Sequence, residues 1–252
     1  MIYEEEPFVE RIDRVADIGF DTVEFWTWPD KDLEAVEARL DDRDLSLAGM
    51  AANTEQRRPE ELERALTDPT RRDSVVADIE ESIEVAGRLD CPNLIVLVGP
   101  RIEDRTDEEM YESVVECLRE VAPTAESAGV TLLVEPLNPM VDHENYFLTE
   151  SARAADLARD VDSPAVGILF DIYHQQVTEG NIISNIREHL DVIGHLHVAD
   201  VPGRHEPGTG ELHYANVLSA VEEAGYDGYT GFEFTPEHRS DAALESIADR
   251  TM

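Results

Sequence analysis

The sequence has very little positive charge. It holds 20 lysine and arginine residues against 57 aspartate and glutamate residues, a formal net charge of -37, and its single lysine is Lys31. A chain this acidic repels polyanions, which argues against nucleic acid or anionic lipid as a partner. Arginine supplies nearly all of the positive charge, and this pattern indicates a halophilic cytoplasm in which concentrated salt screens the repulsion. We therefore expect poor stability in dilute buffer.

Cysteine and long apolar runs are also scarce. Cys91 and Cys117 lie far apart and form no CxxC pair, so the sequence predicts neither a disulfide framework nor a thiolate zinc site. The N-terminus does not have the basic and apolar regions of a secretion signal. No apolar run approaches the roughly 18 residues of a membrane-spanning helix. We expect a cytoplasmic protein that does not bind a membrane.

Short β-branched runs alternate with longer amphipathic segments, which is typical of repeated βα units around a parallel sheet. The chain has 252 residues and contains no linker-like segment, so we predict a single domain over residues 1–252. The predicted fold is α/β, a (β/α)8 TIM barrel. Seven strands are expected, at Thr22–Trp26, Leu45–Ala51, Asn93–Val98, Thr131–Glu135, Val166–Asp171, Ile193–Val198 and Tyr229–Phe234.

The first strand of the expected eight is missing or truncated at the N-terminus. Phe8, Ile12 and Val15 already form the apolar stripe of a helix, and only residues 1–3 precede the charged turn before it. Two explanations remain open. Either a misplaced start has removed the strand, which we favour, or the barrel is incomplete and leaves two strand edges unpaired.

Four potential metal ligands come at the carboxyl ends of four successive predicted strands. They are Glu135 in LLVEP, Asp171 in ILFDIYH, His197 in GHLHVAD and Glu233 in GFEFTP. Because these strand ends converge on one face of a parallel barrel, the four side chains can meet around one ion. Three carboxylates and an imidazole suit Mn²⁺, Mg²⁺ or Co²⁺ better than structural zinc. One acidic strand end would be unremarkable, but four equivalent ones favour a metal site.

Further polar residues lie close to these strand ends in sequence. His174 follows Asp171 by one helical turn, so it can project over the metal. Arg204 and the weaker candidate Glu206 lie in the turn-rich segment GRHEPGTGE. Arg204 can form two parallel hydrogen bonds to a carboxylate or to a pair of hydroxyls of a small substrate. The alternative is that Arg204 forms a surface ion pair with an acidic residue. His195 is expected beneath His197, where it orients the ligating imidazole.

At these residues the sequence resembles the hydroxypyruvate isomerase branch of the xylose isomerase-like TIM barrels. The resemblance runs from about Pro7 to Phe234 and is densest in VEPLN, FDIYH, IGHLHVAD, EPGTGELHY and GFEF. It implies that Glu135 and Glu233 are both metal ligands and the acid/base pair. It also implies that Asp171 and His197 complete the metal shell and that His174 and Arg204 bind the substrate.

The implied activity is metal-dependent aldose–ketose isomerisation of a small hydroxy-carbonyl compound. Conversion of hydroxypyruvate to tartronate semialdehyde is the leading reaction. The branch often has glutamine in place of His197, and a histidine there is similar to the ketose 3-epimerases, which makes epimerisation the alternative. A non-catalytic metal-binding barrel comes third. The expected partner is a small-molecule substrate, and exposed barrel edges are compatible with a homodimer.

Overall fold

In the computed structural model, which describes residues 1–52 and 66–251, seven parallel strands form a nearly closed barrel. The strands pair in chain order from β1 to β7. All seven predicted strands are confirmed, and several end slightly earlier than expected. Their bounds are β1 (Thr22–Phe25), β2 (Ser46–Ala51), β3 (Asn93–Val96), β4 (Thr131–Val134), β5 (Val166–Asp171), β6 (Ile193–His197) and β7 (Tyr229–Gly231).

Helices cover the outside of the sheet. The longest, α4, begins at a capping box between Thr106 and Glu109 and ends before Gly129, which has φ +70°. Among the described residues, no helix is long and apolar enough to cross a membrane. The helices are α1 (Phe8–Ile18), α2 (Leu33–Arg43), α3 (Arg72–Arg88), α4 (Asp107–Ala128), α5 (Ser151–Val161), α6 (Ile172–Thr178), α7 (Ile182–His189), α8 (Tyr214–Ala224) and α9 (Ser240–Thr251).

The inside of the barrel contains a small apolar layer. Ile95, Leu133 and Leu169 form a buried cluster there. Glycines make room for it, because a Cβ added at Gly194 would lie 2.6 Å from Cδ2 of Leu133. Residues two apart on a strand face the same side. Glu135, two residues after Leu133, and Asp171, two residues after Leu169, therefore lie above this layer. The apolar layer thus lies directly below the predicted metal site.

The sheet remains open between β7 and β1. Among the described residues, β1 pairs with β2 and β7 pairs with β6, and these two strands end the sheet. A cavity of about 720 Å³ lies between them, lined in part by Phe8 and Ile12 of α1. Residues 1–3 form no strand, and the hydroxyl of Tyr3 instead donates to Asp241 at 2.8 Å. We call the opening between β7 and β1 the seam.

Candidate metal centre

The structure brings the four predicted ligands together at the carboxyl ends of the strands. Asp171 and His197 end β5 and β6 and are register partners, Glu135 directly follows β4, and Glu233 lies just beyond β7. One potential ligand atom from each lies within 4.8 Å of the others. All four residues are buried, from 0% exposed for Glu135 and Asp171 to 8% for Glu233. We refer to these residues as the four-residue centre.

Several carboxylate oxygens in this centre have no hydrogen-bond partner among the described residues. Both oxygens of Glu135 and Oδ2 of Asp171 are buried and accept no hydrogen bond from that part of the chain. By contrast, Oδ1 of Asp171 accepts the backbone N–H groups of Tyr173 and His174, at 2.7 and 3.1 Å. Unpaired buried carboxylate oxygens are costly. A divalent cation with oxygen-rich coordination would satisfy them, so the residues present fit such an ion.

The electrostatics of the centre favour protons where a cation would otherwise bind. Burial raises the pKa of Glu135 well above its usual range, and the carboxylates of Glu233 and Asp171 add to this against the opposing charge of His197. Burial lowers the pKa of His197, but Glu24 and Glu233 outweigh it and raise this pKa well above the usual value. A divalent cation therefore competes with these protons for the same atoms.

His174 lies beside the centre as a neutral hydrogen-bond donor. Its Nε2 is 3.7 Å from Oδ2 of Asp171, and its Nδ1 is 2.7 Å from the side-chain nitrogen of Asn138. Oδ1 of Asn138 accepts the backbone N–H groups of Val141 and Asp142, which fixes the amide so that its NH₂ faces the histidine. The ring proton of His174 is thus on Nε2. Burial lowers the pKa of His174 to about 3, so the ring is uncharged at neutral pH.

Arg204 reaches the centre from the loop after β6. Its Nη2 lies 2.8 Å from Oε2 of Glu233 and 3.8 Å from Oδ2 of Asp171. The guanidinium also stands over the ring of Tyr173, 5.3 Å from its centroid. The structure therefore places Arg204 at the rim of the site instead of in a surface ion pair.

The loop that carries Arg204 is organised by a buried carboxylate. Asp200 accepts the backbone N–H groups of Val201, Gly208 and Leu212, at 2.8 to 3.1 Å. Such hydrogen bonds hold a turn-rich segment in one conformation. The sequence analysis did not single out Asp200, although it is the last residue of the matched segment IGHLHVAD.

Glu206 does not join the four-residue centre. Its Oε2 accepts the backbone N–H of Glu237 at 3.0 Å, which ties the loop after β6 to the segment after β7. This partner gives Glu206 a structural role among the described residues. Its predicted contact with substrate remains a prediction.

Glu24 is a further site residue that sequence reasoning missed. Its Oε2 lies 3.0 Å from Nε2 of His195 and 3.3 Å from Nε2 of His197. These three residues form a second group that could hold a metal ion. Burial raises the pKa of Glu24, but the charges and hydrogen bonds of the two histidines outweigh it and keep the carboxyl ionised. The available signal was an acidic residue inside the short strand TVEF.

The family follows from a comparison with known proteins. A family model described as "Xylose isomerase-like TIM barrel" matches residues 12–250. The chain belongs to this family. The hydroxypyruvate isomerase of Escherichia coli (strain K12) is 31% identical over 247 residues, 97% of this chain and 94% of the relative. The 2-oxo-tetronate isomerase of Cupriavidus necator is 31% identical over 245 residues, 97% of this chain and 93% of the relative.

Solved structures share the same fold. A structure described as an AP endonuclease, family 2, from Brucella melitensis superposes with a TM-score of 0.91 at 29% identity, covering 98% of this chain and 95% of that one. A D-psicose 3-epimerase from Clostridium cellulolyticum H10 has a TM-score of 0.77 at 24% identity, covering 97% and 90%. This second likeness concerns the fold alone. The predicted family and barrel are confirmed, and the names of the relatives confirm the predicted isomerase class.

Proposed function

We propose that this protein is a divalent-metal-dependent isomerase of a small hydroxy-carbonyl acid, and that it converts hydroxypyruvate to tartronate semialdehyde. The observation that carries the proposal is the buried four-residue centre, in which neither oxygen of Glu135 has a hydrogen-bond partner among the described residues. The names of relatives at 31% identity support the substrate class. Mn²⁺ or Mg²⁺ suits the oxygen-rich donor set, and Co²⁺ is a further candidate.

The four-residue centre would hold the metal through three carboxylates and the imidazole of His197. When bound, the ion supplies positive charge that stabilises the negative charge developing on the substrate oxygens as a proton is removed. This charge would also offset the mutual repulsion of Glu135, Asp171 and Glu233, which now face one another within 4.8 Å.

Glu135 and Glu233 would move the proton between the two neighbouring carbons of the substrate. Hydroxypyruvate becomes tartronate semialdehyde when a proton leaves the hydroxymethyl carbon and one returns to the neighbouring carbonyl carbon, while the hydroxyl proton shifts between the two oxygens. One glutamate takes the carbon-bound proton and the other returns one. Burial raises the pKa of Glu135, which favours the protonated carboxyl and suits this residue to return a proton to the substrate carbon.

Arg204 and His174 would fix the substrate in this position. The guanidinium of Arg204 offers a forked pair of donors to the substrate carboxylate, and its planar face rests on Tyr173. Nε2 of His174 has no partner among the described residues and carries a proton, so it can donate to a substrate oxygen. Two donors on the rim favour an acidic substrate over an uncharged sugar.

The proposal is tested by following substrate conversion by NMR with Mn²⁺ in concentrated KCl. Hydroxypyruvate, 2-oxo-tetronate and D-fructose are supplied separately to the wild type, Glu135→Gln and Glu233→Gln. Glu10→Gln, on the exposed side of α1, is the matched control. We expect metal-dependent conversion of hydroxypyruvate, a fall of about 10²- to 10⁴-fold in both active-site variants, and no change in the control.

The other substrates distinguish the alternatives. Faster turnover of 2-oxo-tetronate would keep the reaction type and lengthen the preferred substrate by one carbon. Epimerisation of D-fructose at C3, without turnover of either acid, would replace the proposal with the ketose 3-epimerase alternative. Metal binding without turnover of any of the three would leave a non-catalytic barrel.

A further inference from the structure

The imidazole of His197 is contacted on both of its nitrogen atoms. Nδ1 faces the four-residue centre, 3.1 Å from Oε2 of Glu233 and 4.0 Å from Oδ2 of Asp171. Nε2 faces the other way and lies 3.3 Å from the carboxylate of Glu24. His197 therefore stands between two sets of carboxylates that come from opposite sides of the seam.

A neutral imidazole carries one proton, so only one of its nitrogens can bind a cation. When Nε2–H donates to Glu24, the lone pair of Nδ1 faces the carboxylates of Glu233 and Asp171 in the centre. Ligating histidines are commonly held by such a carboxylate on the far nitrogen. We propose that Glu24 is a positioning residue that fixes the tautomer and ring orientation of His197 for metal binding, an inference that rests on the proposed metal site.

His195 holds the carboxylate of Glu24 in this position. Nε2 of His195 lies 3.0 Å from Oε2 of Glu24, and its ring meets the ring of His197 edge-on with centroids 4.9 Å apart. His195 is buried, and its place on β6 two residues before His197 puts both side chains on the same face. The two histidines thus present a pair of N–H groups to one carboxylate.

The fold leaves space for this carboxylate across the seam. A Cβ added at Gly231 on β7 would lie 2.1 Å from Oε1 of Glu24 and 2.7 Å from its Cδ, so any larger residue would displace the carboxylate. A Cβ at Gly49 on β2 would lie 3.9 Å from Oε2, an ordinary contact. The two glycines therefore provide a steric test and a matched control on either side of Glu24.

The alternative is that the cation binds between Glu24, His195 and His197 themselves. The hydrogen bonds favour the four-residue centre, because Glu24 is already paired with both imidazoles, whereas the oxygens of Glu135 accept no hydrogen bond from the described residues. A cation gains most where buried charge is uncompensated. The two placements differ in which nitrogen of His197 keeps its proton.

The experiment measures Mn²⁺ binding by calorimetry, together with ¹H–¹⁵N spectra of ¹⁵N-histidine-labelled protein in Mg²⁺. The wild type is compared with Glu24→Leu, which removes the acceptor, and Glu24→Gln, which keeps a carbonyl acceptor. We expect about 10- to 100-fold weaker Mn²⁺ binding in Glu24→Leu, partial rescue in Glu24→Gln, and a His197 proton on Nε2 in the Mg²⁺-bound wild type. Gly231→Ala should weaken binding in the same direction, whereas Gly49→Ala should match the wild type.

The outcomes separate this inference from the proposed function. If the wild type binds Mn²⁺ and every Glu24 and Gly231 variant binds it equally well, Glu24 does not position His197, and the metal site stands. If Nδ1 of His197 keeps the proton in Mg²⁺, the inference is also overturned. If the wild type binds no divalent cation, both the inference and the proposed metal site fail. Circular dichroism identifies any variant that has lost its fold, and Gly231→Ala then decides the question without removing a charge.

Discussion

The barrel wall made by β3, β4 and β5 and the seam between β7 and β1 position their inward-facing side chains in different ways. In the wall, continuous pairing sets the register, and Ile95, Leu133 and Leu169 fill the interior. At the seam the sheet is open, and the polar side chain of Glu24 connects β1 to β6. Backbone pairing therefore places Glu135 and Asp171 in the wall, whereas the side chain of His197 on β6 is also contacted across the barrel by Glu24 of β1.

Shortening a wall side chain should give the largest change in stability. Leu133→Ala removes a fully buried side chain from the apolar layer and should lower the free energy of unfolding by about 2–5 kcal/mol. Val23→Ala at the seam changes a half-buried side chain and should cost about 1 kcal/mol or less. Urea denaturation in concentrated KCl compares the two, and equal losses would show that the wall and the seam contribute alike.

Changing Asn138 should alter the protonation of His174 without disturbing the sheet. In Asn138→Asp the new carboxylate accepts from Nδ1 of His174, so Nε2 loses its proton and cannot donate to substrate. We expect kcat/KM for hydroxypyruvate to fall about 10- to 100-fold, in line with the loss of one hydrogen bond in a buried site. Asn216→Asp on the exposed face of α8 is the control. Unchanged kinetics in Asn138→Asp would remove His174 from the substrate site.

The pH dependence of metal binding should follow Glu135 and His197 and not Glu24. The pKa values of Glu135 and His197 are raised, so both hold protons that must leave before a cation binds. Mn²⁺ affinity should therefore rise as the pH rises. The pKa of Glu24 is lowered, so this carboxylate stays ionised throughout and adds no pH dependence. Calorimetry at several pH values tests this, and an affinity that is flat or rises toward acid pH would contradict it.

The smallest expected effect is the alkylation of the two buried thiols, Cys91 and Cys117, which tests whether this side of the barrel stays closed. Burial raises the pKa of Cys91 and of Cys117 to about 12, so almost no thiolate exists at neutral pH. Iodoacetamide should label neither residue in the folded protein and both after denaturation, as read by mass spectrometry. Rapid labelling of the native chain would show that this side of the barrel opens readily.

The wall and its ligands could be predicted from sequence because they depend on local patterns. Apolar runs mark the strands, and a polar residue at the end of such a run lies at the mouth of a parallel barrel. This reasoning found Glu135 and Asp171 without knowledge of their contacts. The same reasoning placed His195 next to His197, because residues two apart on a strand face the same side.

The seam and the loops could not be predicted in the same way. Glu24 and His195 are 171 residues apart in sequence and meet only through the tertiary arrangement of β1 and β6. The contact between Asn138 and His174 depends on a loop conformation. Glu206 accepts a hydrogen bond from the backbone N–H of Glu237, which the composition of the segment does not reveal. The halophilic character, the cytoplasmic location and the homodimer remain predictions.

The most direct test is the position of Mn²⁺ in crystals of the protein, located by anomalous scattering. We predict one peak within coordination distance of Glu135, Asp171, Glu233 and Nδ1 of His197, with the carboxylate of Glu24 still hydrogen-bonded to Nε2. A peak between Glu24, His195 and His197, or no peak in the barrel at saturating Mn²⁺, would contradict it.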